Sequence, residues 1–190
     1  MLQERHIAPL AAFTERLRRA HPGWEFPDFD PLDGGSNADL MFLLEKPGPM
    51  TSIGGGGSGF ISRDNDNPTA EAIFNFMNKA SLPRERTVVW NIVPGWNGTC
   101  KVTTKELVAG VDSFAGLLPL LPKLRTIVLV GRKAQRATPL VEALGLRVLV
   151  SAHPSPQVRA SQPDVWRRIP LIWSQANEAP AGSAQSRVSG

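Results

Sequence analysis

Two short turns hold the residues best suited to chemistry: Glu45-Lys-Pro-Gly-Pro49 and His153-Pro-Ser-Pro156, each following an apolar run. A carboxylate that interrupts an apolar run at a strand end is suited to positioning water. An imidazole in a proline-locked turn is held with little backbone freedom, which favours a functional over a structural role for it. Glu45 could instead be a solvated turn acid or pair with its neighbour Lys46. Residues just beyond the carboxyl ends of parallel strands converge on one crevice, so these turns can meet across a hundred residues of chain. Asn91, within Val88-Val-Trp-Asn-Ile-Val93, is an amide in an otherwise apolar strand and needs hydrogen-bond partners. A planar base edge or internal backbone groups would serve it equally. Phe60 is either an apolar platform for a flat ligand or a loop anchor.

The elements that must position these residues read as alternating helices and strands. A helix is expected over His6 to Ala20, with Ile7, Leu10, Phe13 and Leu17 near one face. His21 to Asn37 reads as a long connection pinned by Trp24, Phe26 and Phe29. Leu40–Leu44, Thr87–Val93, Thr126–Val130 and Arg147–Ser151 read as buried strands. Asn67-Pro68 starts a helix running towards Ala80, and Thr103-x-x-Glu106 is a capping-box signature for another. Further helices are expected from Lys133 to Leu144 and from Pro163 to Gln175. Strands separated by helices imply right-handed crossovers, so the expected fold is α/β: a three-layer α/β/α sandwich around a mainly parallel four-stranded sheet. Residues 1–178 are expected to form one domain, and the Ala, Gly, Ser and Pro-rich 179–190 a disordered tail.

Bulk properties narrow the function. At 190 residues, with 42% hydrophobic and 20% charged, the chain can build one substantial core. A net charge of +4 permits an anionic partner without requiring one. Cys100 is the only cysteine, which rules out an internal disulfide and a cysteine cage for zinc or iron–sulphur. Three histidines, two near the amino terminus, speak against a multi-histidine metal site, and no cofactor is expected. The first ten residues lack the apolar core of a signal peptide, and no apolar run approaches a membrane span. A soluble, cytoplasmic monomer is the expectation. There is no Gly-x-Gly-x-x-Gly after a strand, no phosphate loop with Lys-Ser/Thr, and no Gly-x-Ser-x-Gly elbow. Gly54 to Gly57 can admit a close ligand or form a mobile surface loop.

Taken together, Leu44-Glu-Lys-Pro-Gly48, Gly59-Phe60, Val89-Trp-Asn-Ile-Val93 and His153-Pro-Ser-Pro156 resemble the uracil-DNA glycosylase superfamily, over roughly residues 38 to 175. The resemblance implies a DNA glycosylase that releases uracil or a related deaminated base from DNA and leaves an abasic site. It implies that Glu45 positions water, Phe60 stacks on the flipped base, Asn91 reads the pyrimidine edge and His153 stabilises the departing base. Lys46, Pro47, Gly48, Ser155 and Gln157 would contact substrate, with Gln157 and Val158 at the base-gap wedge. Familiar forms of the first turn read Gly-Gln-Asp-Pro-Tyr, Gly-Ile-Asn-Pro-Gly or Gly-Glu-Ala-Pro-Gly. Here Leu44 replaces the glycine and Lys46 the third residue, so Lys46 is read as a phosphate contact, a partner of Glu45, or a residue that impairs that carboxylate or alters the chemistry. Lys46, Arg63 and Lys101 are candidate phosphate contacts, with Arg132, Lys133 and Arg136 as a basic cluster. A noncatalytic nucleic-acid-binding homologue, or a hydrolase with another base or nucleoside specificity, is the competing reading.

Overall fold

The computed structural model describes residues 1–178; the expected tail at 179–190 lies outside the described residues. Four wholly parallel strands form the central sheet: β2 (Leu40–Leu44), β4 (Thr87–Asn91), β5 (Thr126–Val130) and β6 (Arg147–Ser151). Their spatial order is β4-β2-β5-β6. Three of them, β2, β4 and β5, are buried at every position, which is why they read as largely apolar runs, with Thr87, Asn91 and Thr126 as buried polar exceptions. The register sets Leu44 beside Asn91 and Val130 beside Ser151. Every site-bearing turn therefore leaves the same edge of the sheet. After β4 the chain crosses β2 to begin β5, and that switch opens the crevice between diverging loops.

Helices cover both faces, giving the expected three layers. On one face Phe42 meets Trp173 edge-on at 4.7 Å, and Phe76 meets Trp166 at 4.8 Å, joining α2 (Pro68–Lys79) to α6 (Pro163–Ser174). On the other, Trp90 meets Phe13 of α1 (Ala8–Ala20) and stacks on Phe29 at 3.9 Å. Alternation along a strand sends Phe42 and the Leu43/Trp90 row to opposite layers. The Trp173 indole donates to Ser151 Oγ at 2.9 Å, tying α6 to the end of β6.

Both helix starts read from sequence are present. Asn67 accepts from the Thr69 and Ala70 amides at α2, and Thr103 and Glu106 form a reciprocal capping box at α3 (Thr104–Leu117). Four details differ from expectation. The helix expected over 133–144 is broken into a 3₁₀ turn, Ala134–Ala137, and α4, Thr138–Ala143, because Pro139 has no N–H to continue a ladder. A short helix, α5 (Pro156–Ser161), follows the histidine turn, capped by Ser155. A two-residue parallel pair, β1 (Asp28–Phe29) with β3 (Phe60–Ile61), lies outside the main sheet. Finally, β4 ends at Asn91, yet the Ile92 and Val93 amides still donate to Leu44 and Glu45 carbonyls at 2.8 and 2.9 Å, which pins the first turn. No helix among the described residues is long and apolar enough to cross a membrane.

Candidate active site

Glu45 emerges directly from β2. Its carboxylate lies over the turn after β5, where Oε1 accepts from the Lys133 backbone N–H at 3.0 Å and Oε2 lies 3.6 Å from the Lys133 ammonium. Gly131 makes this approach possible. Its φ is +92°, and a Cβ built there would stand 2.7 Å from Glu45 Oε1. The glycine therefore supplies both a backbone shape and an absent side chain. Neither Gly131 nor Lys133 stood out in the sequence as a partner of Glu45. A glycine after a strand resembles any turn, and the lysine reads as one member of the basic cluster with Arg132 and Arg136.

His153 stands two residues beyond β6. Its carbonyl accepts from the Ser155 amide at 2.8 Å, while Ser155 Oγ caps α5 by accepting from Val158 N–H at 3.3 Å. The turn is thus fixed on both sides of Pro154. Burial pushes the imidazole below its ordinary pKa; the Glu45 carboxylate opposes that shift and the Lys133 ammonium adds to it. His153 is therefore neutral at neutral pH, with one ring nitrogen a donor and the other an acceptor.

Asn91 ends β4 and is 3% exposed. Its side-chain amide bonds to no other described residue and lines a cavity of about 410 Å³. Pro47, Gly48, Ile61, Ile73 and His153 line the same cavity. A second cavity, about 730 Å³, is lined by Glu45, Arg132, His153, Ser155, Gln157 and Val158 among others. His153 belongs to both cavities. The arrangement offers an apolar slot with one free amide, a neutral imidazole at its edge, and a carboxylate on the imidazole's far side.

Several expected placements are not met. Phe60 lines neither cavity; β3 presents Ile61 to the first one, and among the described residues no Phe or Trp side chain lines it. Arg63 is no phosphate contact, since its buried guanidinium bonds Asp33 Oδ1 at 3.1 Å and Thr87 Oγ1. Lys46 borders the first cavity, but its ammonium turns to Asn97, Lys101 and Glu106 and leaves Glu45 to Lys133. Lys101 contributes its carbonyl to that lysine. The run Gly54 to Gly57 lines neither cavity and is tied to Glu25 and Ser52 by its amides. Arg132 and Arg136 remain exposed beside the second cavity's side of the sheet.

The family model for the uracil DNA glycosylase superfamily matches residues 32–172, and the chain belongs to that superfamily. Among solved structures, it is similar to the solution NMR structure of a provisionally assigned uracil DNA glycosylase from Methanosarcina acetivorans. That pair share 18% identity with a TM-score of 0.50, covering 75% of this chain and 93% of the other. The wild-type UNG crystal structure from Nitratifractor salsuginis is matched at 13% identity and a TM-score of 0.46, over 90% of this chain and 92% of that one. No curated protein matches the sequence.

Proposed function

We propose that this protein is a DNA glycosylase that hydrolyses the N-glycosidic bond of uracil, or a related deaminated base, in DNA. The observation that carries the reading is Asn91: a nearly buried amide without a protein partner, open to a cavity whose rim is a neutral imidazole. The amide is open to the cavity rather than sealed off, and a base edge would occupy both its donor and its acceptor.

The chemistry follows from charge. As the bond between C1′ and the base lengthens, its electron pair moves to the base and positive charge grows on the sugar. The His153 N–H donates to the base oxygen that takes up negative charge, and neutrality of the ring lets it do so without a prior proton. The Glu45 carboxylate stabilises the sugar cation and orients water. The water oxygen bonds C1′, its proton leaves to Glu45 or solvent, and the departing base regains a proton from solvent. Free base and an abasic site result. The target base must leave the stack to enter the slot. Leu44, Ile61 and Ile73 would flank its faces in the role expected of Phe60. Arg132 and Arg136 would meet phosphates, with Gln157 and Val158 near the gap left behind.

The test exposes single- and double-stranded DNA containing uracil, hypoxanthine or xanthine to wild-type, E45A and H153A proteins, scoring base release apart from binding. Release by the wild type, lost or greatly reduced in both variants, is the expected result. Binding without release from every substrate would overturn the reading in favour of a noncatalytic nucleic-acid-binding homologue.

A further inference from the structure

Lys46 is separated in sequence from its three partners by 51, 55 and 60 residues, yet its side chain is only 3% exposed. Its ammonium donates to Asn97 Oδ1 at 2.7 Å, Lys101 O at 2.9 Å and Glu106 Oε1 at 2.9 Å. Those three bonds use every donor an ammonium has. The charge also lies 5.4 Å from the Trp24 ring centroid. The acceptors are themselves tied together: Asn97 Nδ2 donates to Glu106 Oε1 at 2.9 Å, and the Thr103 amide to Glu106 Oε2 at 2.6 Å. Burial alone would raise the Glu106 pKa, but the Thr103 amide and Lys46 outweigh it and hold the carboxyl at about 2. Glu106 therefore stays ionised across the working pH range.

All these partners except Trp24 belong to the connection between β4 and α3, or to the first turn of α3. Within residues 94–103 only Cys100 lines the first cavity. On the other side of the link, Lys46, Pro47 and Gly48 line that cavity too. A buried lysine that merely filled space would be costly, because a desolvated charge needs full pairing. Here the pairing spans two loops that both border the slot.

We propose that Lys46 is a positioning residue: its buried ammonium straps the 94–103 loop onto the Glu45–Pro49 turn and fixes the cavity wall. For its kinetic consequence this rests on the glycosylase reading; the strap itself does not. The three bonds leave the ammonium no donor for a phosphate, so loss of the strap acts on the geometry of the slot and leaves the electrostatic part of DNA binding intact.

The experiment compares wild type, K46M, E106Q and the double variant. Amide hydrogen exchange is read over 97–103 and over β2 and β5. Salt-dependent affinity and single-turnover base release are read on one uracil-containing duplex. Exchange in 97–103 is expected to quicken roughly tenfold or more while the sheet amides stay unchanged. Release should slow roughly tenfold at unaltered DNA affinity and salt slope. The double variant should be no worse than the poorer single one, since both cut one network. E106Q keeps the size and an acceptor oxygen, so it reads the network even where K46M fails to fold. A salt slope reduced by about one with unchanged exchange would make Lys46 a phosphate contact and overturn the proposal. Exchange that quickens evenly through the sheet would overturn it too, as a purely structural role. A wild type that releases no base refutes the glycosylase reading, while the exchange pattern still decides the strap.

Discussion

Replacing Gly131 with alanine tests whether the position of Glu45 matters to the chemistry. The added Cβ would stand 2.7 Å from Oε1 and 3.1 Å from both Cδ and Cγ of Glu45. Carbon contacts relax at roughly 3.5–4 Å, so the carboxylate must retreat by about 0.5–1 Å. A misplacement of about 1 Å at a reacting centre costs on the order of 100-fold in rate, which sets the expected loss at roughly 10- to 100-fold. Alanine at a φ of +92° also carries strain on the order of 1–3 kcal/mol. The lower entropy of the unfolded variant offsets about 0.4–1 kcal/mol of that. The melting temperature should therefore fall by roughly 2–8 °C. Gly145 is a matched control: its φ is +68°, and nothing lies within 4 Å of a Cβ built there. G145A should lose comparable stability and keep the wild-type rate. Single-turnover base release, measured well below both melting points, separates the two. A wild-type rate in G131A, with its destabilisation present, would refute the argument that Glu45 is held where water must be directed.

Three further outcomes follow from individual contacts. Because burial lowers the His153 pKa from 6.5, protonation favours the unfolded chain. The stability that the neutral ring contributes is complete above pH 6.5 and declines as pH falls towards the lowered folded value. H153Q should therefore lose less stability than wild type over that window, the two slopes differing by up to about 1.4 kcal/mol per pH unit in urea unfolding. Parallel slopes would contradict the buried, neutral imidazole. K133M should raise the His153 pKa, read by NMR titration, because the Lys133 ammonium now depresses it. It should slow base release less than G131A does, since the Lys133 backbone N–H still holds Glu45 Oε1. S151A strands the Trp173 indole N–H, which is wholly buried, and should cost roughly 1–3 kcal/mol with an unchanged denaturant m-value.

Much of the frame was legible because it rests on local rules. Leu40–Leu44 is apolar throughout and Thr126–Val130 is apolar after its first residue; both became fully buried strands, so the residues that follow them fell at one edge of the sheet. Asn67-Pro68 and Thr103-x-x-Glu106 cap helices with their own side chains, and both caps formed. What stayed hidden depends on distance along the chain. The partners of Lys46 are 51 to 60 residues away, and nothing local distinguishes an ammonium that will be buried from one that will meet phosphate. Arg63 was misread for the same reason, its partner Asp33 lying 30 residues upstream. β1 and β3 are two residues each, too short for any periodicity to register. Gly131 could be read as a turn, but the carboxylate above it comes from the end of the neighbouring strand β2, far upstream in sequence.

The measurement closest to the central claim is single-turnover base release by wild type and N91A on one uracil-containing duplex, with affinity and stability taken on the same samples. Asn91 gives up no protein hydrogen bond when truncated, so N91A should fold with stability within about 1 kcal/mol of wild type. It should bind the duplex with the same salt dependence, because phosphate contacts carry that term. Release should fall by roughly 10²-fold or more as the site loses its contact with the base edge. A stable N91A that releases base at the wild-type rate would contradict the account.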